Sequence, residues 1–301
     1  MMSKIELWQL RQRQALPLEI KEKYTEKRII DWYNFYSGKV YVSFSGGKDS
    51  TVLLDQVRKL RKDVPAVFCD TGLEHPEIRK FVKTFDNVIW MRPKMPFPKV
   101  IEKYGYPAIS KKVARFVRDL QNPTNKNEAT RNLRLTGLNR KGVFCPSQKC
   151  PKKWLKFVDS DIKLSEQCCH VMKKEPFHRY QKETGRMPIT GVMAYESNMR
   201  EKQYLNQGCN AFKSKTNPIS MPIAFWTEDD IFAYKNKHNI EFSKAYETET
   251  STGCMFCMFG VHLEKQPNRF QRMKVYLPKY YDYCINKLGC GKVLDFMGVK
   301  Y

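Results

Sequence analysis

Long apolar runs are missing from this sequence. No stretch of about 18 consecutive apolar residues occurs, so a membrane-spanning helix is not expected. The first residues, MMSKIELWQLRQRQALPLEI, hold no apolar run of signal-peptide length, and no fixed sequence period is visible. These absences argue against a secreted or membrane protein, a collagen, a coiled coil and a repeat array, and we expect a cytoplasmic protein.

Acidic residues are scarce relative to basic ones. The 301 residues contain 54 Lys and Arg against 31 Asp and Glu, which gives a net charge of +23. A surplus of this size usually faces a polyanion. Hydrophobic residues make up 42% of the chain, which is ample for a core and excludes wholesale disorder. A chain of this length forms one large domain or a core domain with an appended one.

Strand-like and helical patterns alternate in the first third of the chain. Strand-like runs occupy 39–44, 66–69 and 87–91, and helical patterns occupy 19–36, about 49–60 and the residues after Pro76. This order predicts an α/β fold with a mostly parallel twisted sheet flanked by helices. Later segments predict a helix over 110–120, a strand over 187–193, an edge element over 218–223, a capped helix from Thr227 to about 238, and a helix near 268–288.

A short glycine-rich loop separates the first predicted strand from its helix. It reads Ser45-Gly46-Gly47-Lys48-Asp49-Ser50. The glycines bring backbone N–H groups close to an oxyanion, the serines can donate hydroxyl hydrogen bonds, and the helix points its positive end at the same place. The lysine adds positive charge, and the aspartate can hold magnesium. This is not the Walker spacing, which requires glycine where Val42 stands.

The same six residues match the SGGKDS signature of the PP-loop ATP pyrophosphatases, which this region resembles. In that family the loop grips the β,γ-pyrophosphate while ATP is cut between its α- and β-phosphates, and an adenylated substrate results. The resemblance implies ATP and Mg²⁺ as ligands, with Lys48 and Asp49 in catalysis. An ordinary Gly-Gly turn with polar caps is the alternative.

Two further segments resemble the phosphoadenosine phosphosulfate (PAPS) reductase superfamily. Residues 70–77, DTGLEHPE, are similar to its D-T-G-x-x-x-x-E segment, and residues 191–200, GVMAYESNMR, are similar to its G-x-R-x-x-E-S-x-x-R segment. The resemblance implies that Arg200 faces a nucleotide phosphate, and that the nucleotide is lined by Asp70, Thr71, Gly72 and Glu196. Met193 stands where sulfonucleotide reductases often have arginine. A turn with a helix cap, and a surface ion pair of Arg200, are the alternatives.

These motifs suggest a division of the chain into three parts. We expect an N-terminal helical segment (1–38), a PAPS-reductase-like nucleotide-binding domain (39–260) and a C-terminal helical lobe (261–301). Within the second part, the loosened pattern at about 108–186 marks a basic insertion.

The ten cysteines predict a metal centre, because disulfides are rare in a reducing compartment. A vicinal pair, Cys168 and Cys169, and a C-x-x-C pair, Cys254 and Cys257, together supply four thiolates. Four thiolates close either an iron–sulfur cluster or a structural zinc site. This combination resembles the four-iron (4Fe-4S) site of adenylylsulfate reductases, and zinc is the runner-up because adjacent cysteines turn toward one small ion only with difficulty.

Other cysteine arrangements remain open. A rival set joins Cys145 and Cys150 to the vicinal pair, and the thiols could also be unliganded core residues. Cys290 lies between two glycines, a flexible setting suited to a catalytic or sulfur-carrying thiol, and a partly exposed structural thiol is the alternative. The reductases place their catalytic cysteine in an E-C-G-x-H segment, however, and Cys290 has no such histidine after it.

Positive charge is concentrated in residues 111–156. These 46 residues contain thirteen Lys and Arg and two acidic residues, a local net charge of +11. Phe116, Phe144 and Trp154 are interleaved with the cations and are candidates for stacking on bases. The segment therefore predicts DNA or RNA binding, with a solvated basic face as the plainer alternative.

The leading functional hypothesis is an enzyme that cleaves ATP to AMP and pyrophosphate, and so activates an acceptor for iron–sulfur-assisted sulfur transfer. Nucleic acid is the favoured acceptor because of the charge, and a sulfur donor protein is a further possible partner. One alternative is a sulfonucleotide reductase that makes sulfite, although such reductases usually carry a degenerate loop and here it is intact. The other is a non-catalytic nucleic-acid-binding module.

Overall fold

The computed structural model describes residues 5–212 and 218–301. The strands are β1 (Val40–Ser43), β2 (Ala66–Cys69), β3 (Val88–Met91), β4 (Ala108–Ile109), β5 (Met187–Thr190), β6 (Asn210–Ala211), β7 (Ile219–Ser220) and β8 (Met258–Phe259). The helices are α1 (Leu7–Gln14), α2 (Leu18–Phe35), α3 (Lys48–Leu60), α4 (Pro76–Val82), α5 (Phe97–Tyr104), α6 (Lys111–Gln121), α7 (Glu128–Thr136), α8 (Glu175–Thr184), α9 (Asn198–Gln207), α10 (Glu228–His238), α11 (Arg269–Tyr276), α12 (Pro278–Asp282) and α13 (Cys290–Met297).

The chain forms two compact units, each made from several stretches. The sheet unit consists of Met1–Asp70, His75–Arg92 and Pro176–Thr252, and the cysteine unit consists of Thr71–Glu74, Pro93–Glu175 and Gly253–Tyr301. Each part suggested by the sequence is one continuous stretch of chain, whereas each of these units combines three separate stretches. That three-part division stays a prediction.

The sheet unit contains a six-stranded sheet in the order β3-β2-β1-β5-β7-β6. All neighbouring strands are parallel except β6, which runs antiparallel to β7. Every residue of β2 is buried, as expected for a strand covered on both faces. The predicted mostly parallel α/β fold is confirmed, although the element at 218–223 is not at the edge, since β7 lies between β5 and β6.

The core of the sheet unit fixes the end of β1. Val40 and Val42 of β1 pack with Val52 and Leu53 of α3 and with Trp32 of α2, all of them fully buried. The predicted capping box of α10 is also present, since the Thr227 side chain accepts from the backbone N–H of residue 230. The loop between β1 and α3 is therefore held by buried elements on both sides.

The cysteine unit has its own apolar core, built from α5, α6, α11 and α13 and from the short parallel pair of β4 and β8. The pairing places Met258 opposite Ala108, which positions the C-x-x-C segment directly before β8. The helix predicted near 268–288 is interrupted. Pro278 has no N–H to donate, and Leu277 before it leaves the helical region with φ −137°.

Five helices were not individually predicted from the sequence, namely α1, α5, α7, α8 and α13. Helix α13 is bounded by Gly289 and Gly298, both at positive φ. Within residues 5–212 and 218–301, no helix combines the length and apolar character needed to cross a bilayer.

Candidate nucleotide loop and candidate metal centre

The loop after β1 depends on its first glycine. Gly46 has φ +70°, and a Cβ at this position would lie 2.7 Å from Cγ2 of Val82. Any other residue would therefore need both a strained backbone and a displaced α4. The tight turn expected from the sequence is present, and it depends on packing against α4 as well as on local chain geometry.

Two serine hydroxyls hold the loop together. The Oγ atoms of Ser45 and Ser50 lie 3.0 Å apart, and the Ser50 hydroxyl donates to the carbonyl of Gly47 at 2.9 Å. Ser45 is exposed, whereas Gly46 and Gly47 are buried. The first residues of α3 follow directly, so the backbone N–H groups and the positive helix end surround one small region. This arrangement suits an oxyanion.

The loop lysine is already engaged. The Lys48 amine forms an ion pair with Glu228 at the start of α10 and lies 5.2 Å from the ring centroid of Phe232. Its backbone N–H donates to the hydroxyl of Tyr246 at 2.9 Å. An anion that uses these donors must displace Glu228 and Tyr246. Sequence reasoning missed both residues. Nothing in the motif indicates that residues 180 or more positions further along the chain contact the loop.

Asp49 lies in an unusual electrostatic environment. Its Oδ1 is buried and has no hydrogen-bond partner within the described residues. Burial, followed by repulsion from Glu196, raises the pKa of Asp49 from 3.8 to about 6, although Lys48 acts in the opposite direction. A carboxylate oxygen that is buried without a donor fits a cation ligand or a proton acceptor.

The third predicted segment does reach the loop. Glu196 accepts from the backbone N–H of Met193 at 2.9 Å and forms an ion pair with Arg200. At the end of β5 a Cβ on Gly191 would lie 3.1 Å from the backbone nitrogen of Ser50, so this segment approaches the loop closely. Met193 is fully buried, which explains an apolar residue where reductases often have arginine.

The predicted nucleotide-lining residues after β2 have partners of their own. The carboxylate of Asp70 lies 3.0 Å from the guanidinium of Arg79. The Thr71 hydroxyl donates to Glu74 at 2.6 Å, and Thr71 belongs to the cysteine unit. Gly72 follows at φ +77°. A role of these residues in nucleotide binding stays a prediction.

Four predicted metal ligands come together in the cysteine unit. Cys168, Cys169, Cys254 and Cys257 line one cavity, together with Leu73, Phe97, Pro107, Met172, Lys173 and Phe256. Cys145 and Cys150 are not among the lining residues. The fold therefore favours the vicinal pair with the C-x-x-C pair over the rival set.

The charge balance in this cavity centres on Lys173. The nearby Cys254 thiolate raises the pKa of Lys173, whereas burial raises the pKa of Cys254 and of Cys168. Buried thiols of this kind ionise only beside positive charge. Lys173 follows Cys169 by only four residues in the sequence.

The donor set fits a metal centre by type and number. Four thiols in an apolar pocket are the ligands of a four-iron cluster or of a Cys₄ zinc site. In the described parts of the chain, however, no three His, Cys, Asp or Glu side chains are arranged to hold a metal ion as they stand. Zinc needs four donors at about 2.3 Å from one point, whereas a cubane accepts donors at separated corners.

Cys290 is not in a flexible setting. Its side chain is 0% exposed, at the start of α13 and inside the core of the cysteine unit. A hydrogen bond with Cys290 raises the pKa of the Cys284 thiol. The flexible environment expected from the neighbouring glycines is wrong, because Gly291 packs against Ile285. A catalytic role for Cys290 stays a prediction.

The basic segment 111–156 uses its aromatic residues in two ways. Phe116 is 0% exposed and Trp154 is 5% exposed, so neither is available to stack on a base. Both support cations instead, since Arg134 lies 4.1 Å above the Phe116 ring and Lys153 lies 4.8 Å above the Trp154 ring. Only Phe144 of the three is exposed, at 56%. The expectation of three stacking residues is therefore reduced to one.

Comparison with known proteins places these observations in a family context. Residues 39–140 and 125–259 match the family described as the phosphoadenosine phosphosulfate reductase domain. A protein of Staphylococcus saprophyticus named adenosine 5'-phosphosulfate reductase is 22% identical over 241 residues, which cover 78% of this chain and 77% of that protein. The matched region contains the loop, the segment after β2, the segment after β5 and all four cavity cysteines.

Two solved structures are similar at lower levels. A phosphoadenylyl-sulfate reductase of Candida auris, in a phosphate complex, covers 80% of this chain and 96% of its own, with 16% identity and a TM-score of 0.44. A U34-tRNA thiolase of Methanococcus maripaludis with its [4Fe-4S] cluster covers 92% of this chain and 80% of its own, with 13% identity and a TM-score of 0.38. At these TM-scores neither structure bears on the function of this chain.

Proposed function

This chain belongs to the phosphoadenosine phosphosulfate reductase domain family, and from this premise we propose that it cleaves ATP to AMP and pyrophosphate. The cleavage activates an acceptor for sulfur transfer, and nucleic acid is the favoured acceptor. The observation that carries the proposal is the complete loop, with Gly46 at positive φ, its paired serine hydroxyls and the unpartnered Oδ1 of Asp49.

Different residues of the sheet unit contact different phosphates of ATP in the proposed cleavage. The loop N–H groups and the Ser45 and Ser50 hydroxyls bind the β,γ-pyrophosphate, and Lys48 neutralises its charge after leaving Glu228. Arg200, at present paired with Glu196, turns to the α-phosphate. Mg²⁺ on ATP would be held by Asp49 and would draw charge from the phosphate oxygens.

The proposed reaction has two steps. An oxygen of the acceptor attacks the α-phosphorus, the bond to the β-phosphate oxygen breaks, and pyrophosphate leaves with that electron pair. Hydrosulfide from a donor then attacks the carbon that bears the adenylated oxygen, and AMP leaves with that oxygen and the electron pair of the broken C–O bond. Positioning and charge neutralisation supply the rate enhancement in both steps.

The cysteine unit supports the sulfur step. Cys168, Cys169, Cys254 and Cys257 would hold a four-iron cluster, with Lys173 balancing the thiolate charge. Such a cluster supplies a site where sulfur can bind or electrons can pass. Zinc in the same four thiolates is the runner-up.

Pyrophosphate release tests the ATP step. Asp49→Asn and Ser45→Ala should abolish release from ATP with any acceptor, because they remove the cation ligand and a loop hydroxyl. Asp229→Asn is the matched control, since Asp229 is exposed in the first turn of α10 and is not part of the loop. Unchanged release in Asp49→Asn would remove the loop from the mechanism.

Anaerobic purification tests the metal centre. Iron and sulfide assays with a visible spectrum should show a cluster that is lost in Cys168→Ser and in Cys257→Ser. Cys145→Ser should keep it, because Cys145 is not in the cavity lining. A colourless protein that contains zinc would reject the cluster.

The second candidate function is sulfonucleotide reduction. It is favoured by the relative named adenosine 5'-phosphosulfate reductase, whose match covers 78% of this chain. This function predicts that the protein, with thioredoxin as the reductant, forms sulfite from adenylylsulfate or its 3′-phosphate. The activity should depend on Cys290 and need no added ATP. Sulfite formation without pyrophosphate release would replace the first proposal by this one.

A further inference from the structure

The basic segment carries one exposed loop whose shape is set by its own hydrogen bonds. Residues 137–149, here called the basic loop, begin where α7 ends at Gly137. The side chain of Asn139 accepts from the N–H groups of Lys141 at 2.9 Å and Val143 at 3.0 Å, and the N–H of Cys145 donates to the Gly137 carbonyl at 2.7 Å. Its tip is thus an ordered turn.

This ordered tip presents apolar side chains to solvent. Val143 is 54% exposed and Phe144 is 56% exposed. The Phe144 ring rests on the backbone of Gly137, where an added Cβ would lie 2.6 Å from a ring carbon. The support fixes the ring in place while leaving more than half of the side chain accessible. Large apolar side chains grouped on an ordered, exposed turn commonly mark a binding surface.

Three cations of the same loop, all within five residues of Phe144, have no acidic partners among the described residues. Arg140, Lys141 and Lys149 are exposed, and none of the three forms an ion pair among residues 5–212 and 218–301. The acidic residue Asp119 is occupied, because it pairs with Arg118 and Arg134. The tip therefore offers positive charge that nothing in the described chain neutralises.

An exposed ring and unpaired cations on one short loop match one kind of ligand, a polyanion that also carries flat apolar faces. Phosphates satisfy the cations, and a base satisfies the ring. A base inside a duplex is already stacked on its neighbours, so the ring can reach only an unpaired base. The geometry therefore selects single-stranded or looped nucleic acid over duplex.

We propose that the basic loop binds single-stranded nucleic acid by stacking Phe144 on an unpaired base while Arg140, Lys141 and Lys149 contact the flanking phosphates. This inference rests on the proposed nucleic-acid acceptor and specifies its form, an unpaired strand. It also assigns separate tasks, since the ring adds affinity through the base and the cations add affinity through the phosphates.

Fluorescence anisotropy with the full chain tests the division of tasks. The probes are labelled RNA and DNA strands of one length, the matching duplexes, and an abasic strand of equal charge. Phe144→Ala should weaken binding to the unpaired strands by about 5- to 150-fold without changing the salt dependence. Phe144→Trp should restore the affinity, and neither variant should alter binding of the abasic strand. The RNA and DNA probes show which sugar is preferred.

Matched variants separate stacking from charge and from folding. Phe35→Ala removes a phenylalanine that is 58% exposed in α2, and it should leave every affinity unchanged. Lys141→Gln should weaken all charged probes alike and reduce the salt slope by about 1. Equal loss on the abasic strand, or no loss in Phe144→Ala, would overturn the stacking proposal. Phe144-dependent binding to anionic lipid vesicles, with nucleic acid unaffected, would also overturn it.

The strand-binding assay tests this inference separately from the proposed ATP reaction. Pyrophosphate release is measured independently of strand binding. Strand binding that depends on Phe144 without pyrophosphate release would uphold this inference and reject the ATP reaction. Pyrophosphate release by a protein that does not bind unpaired strands would do the reverse.

Discussion

The substitution Asp49→Asn should stabilise this protein while abolishing pyrophosphate release. Asp49 is half-buried, its Oδ1 is buried without a partner among the described residues, and its pKa is raised from 3.8 to about 6, mainly by burial. The difference between these pKa values corresponds to about 3 kcal/mol of folding free energy that is lost when the carboxyl must ionise in the folded chain. Asp49→Asn removes that loss.

Ionisation of Asp49 should lower the stability of the folded protein as the pH rises. The pKa of Asp49 is raised in the folded state, so the protonated carboxyl carries no penalty below pH 3.8. The penalty grows as the pH rises toward about 6 and is constant above that pH. The advantage of Asp49→Asn should therefore increase by roughly 2 to 3 kcal/mol between pH 4 and pH 7.5.

Urea denaturation followed by tryptophan fluorescence measures this difference, because Trp32 and Trp226 lie in the core of the sheet unit. The free energy of unfolding is compared between wild type and Asp49→Asn at several pH values without nucleotide or magnesium. Asp229→Asn serves as control and should show no pH-dependent gain, because its carboxyl is exposed. A constant difference across this pH range, or a destabilised Asp49→Asn, would refute the electrostatic reasoning.

Three further predictions follow from contacts around the two sites. Glu228→Gln should free the Lys48 amine and tighten pyrophosphate binding several-fold, as measured by calorimetry, whereas Asp229→Asn should not. Weaker binding in Glu228→Gln would contradict the idea that Glu228 competes with the anion for Lys48. Lys173→Met should lower the iron bound per chain in anaerobic protein, because the thiolates lose a nearby positive charge, and the exposed Lys174→Met is the control with unchanged iron expected. Cys290 should resist iodoacetamide in the native protein and react after unfolding, as followed by peptide mass spectrometry, and rapid native labelling would show that the core opens there.

The sequence predicted the sheet unit well because its signals are local. Strand β1, the six-residue loop and α3 form one continuous stretch in which hydrophobic runs, glycines and helix caps agree. The capping box of α10 is equally local. The prediction of one long helix near 268–288 was wrong because Pro278 interrupts the helix. Helix α13 was missed because glycines bound it on both sides.

The sites were predicted only in part, because their environment comes from distant chain. No local pattern indicated that Tyr246 and Glu228 would occupy the donors of Lys48. Composition suggested three stacking aromatics, yet the core took Phe116 and Trp154. An aromatic residue between cations gives the same sequence pattern whether its ring is buried in the core or exposed to solvent.

The amino-acid order alone predicted the parallel α/β fold, the family and the loop, and it left two candidate sets of four cysteines, since each of these depends on neighbouring residues or fixed spacing. Tertiary structure decided which of those groups are available. It gathered Cys168, Cys169, Cys254 and Cys257 around one cavity, buried Cys290 and left Phe144 exposed. The physical reason is that burial and proximity are set by packing between segments far apart in the chain, and packing determines both which side chains meet a ligand and how readily they ionise.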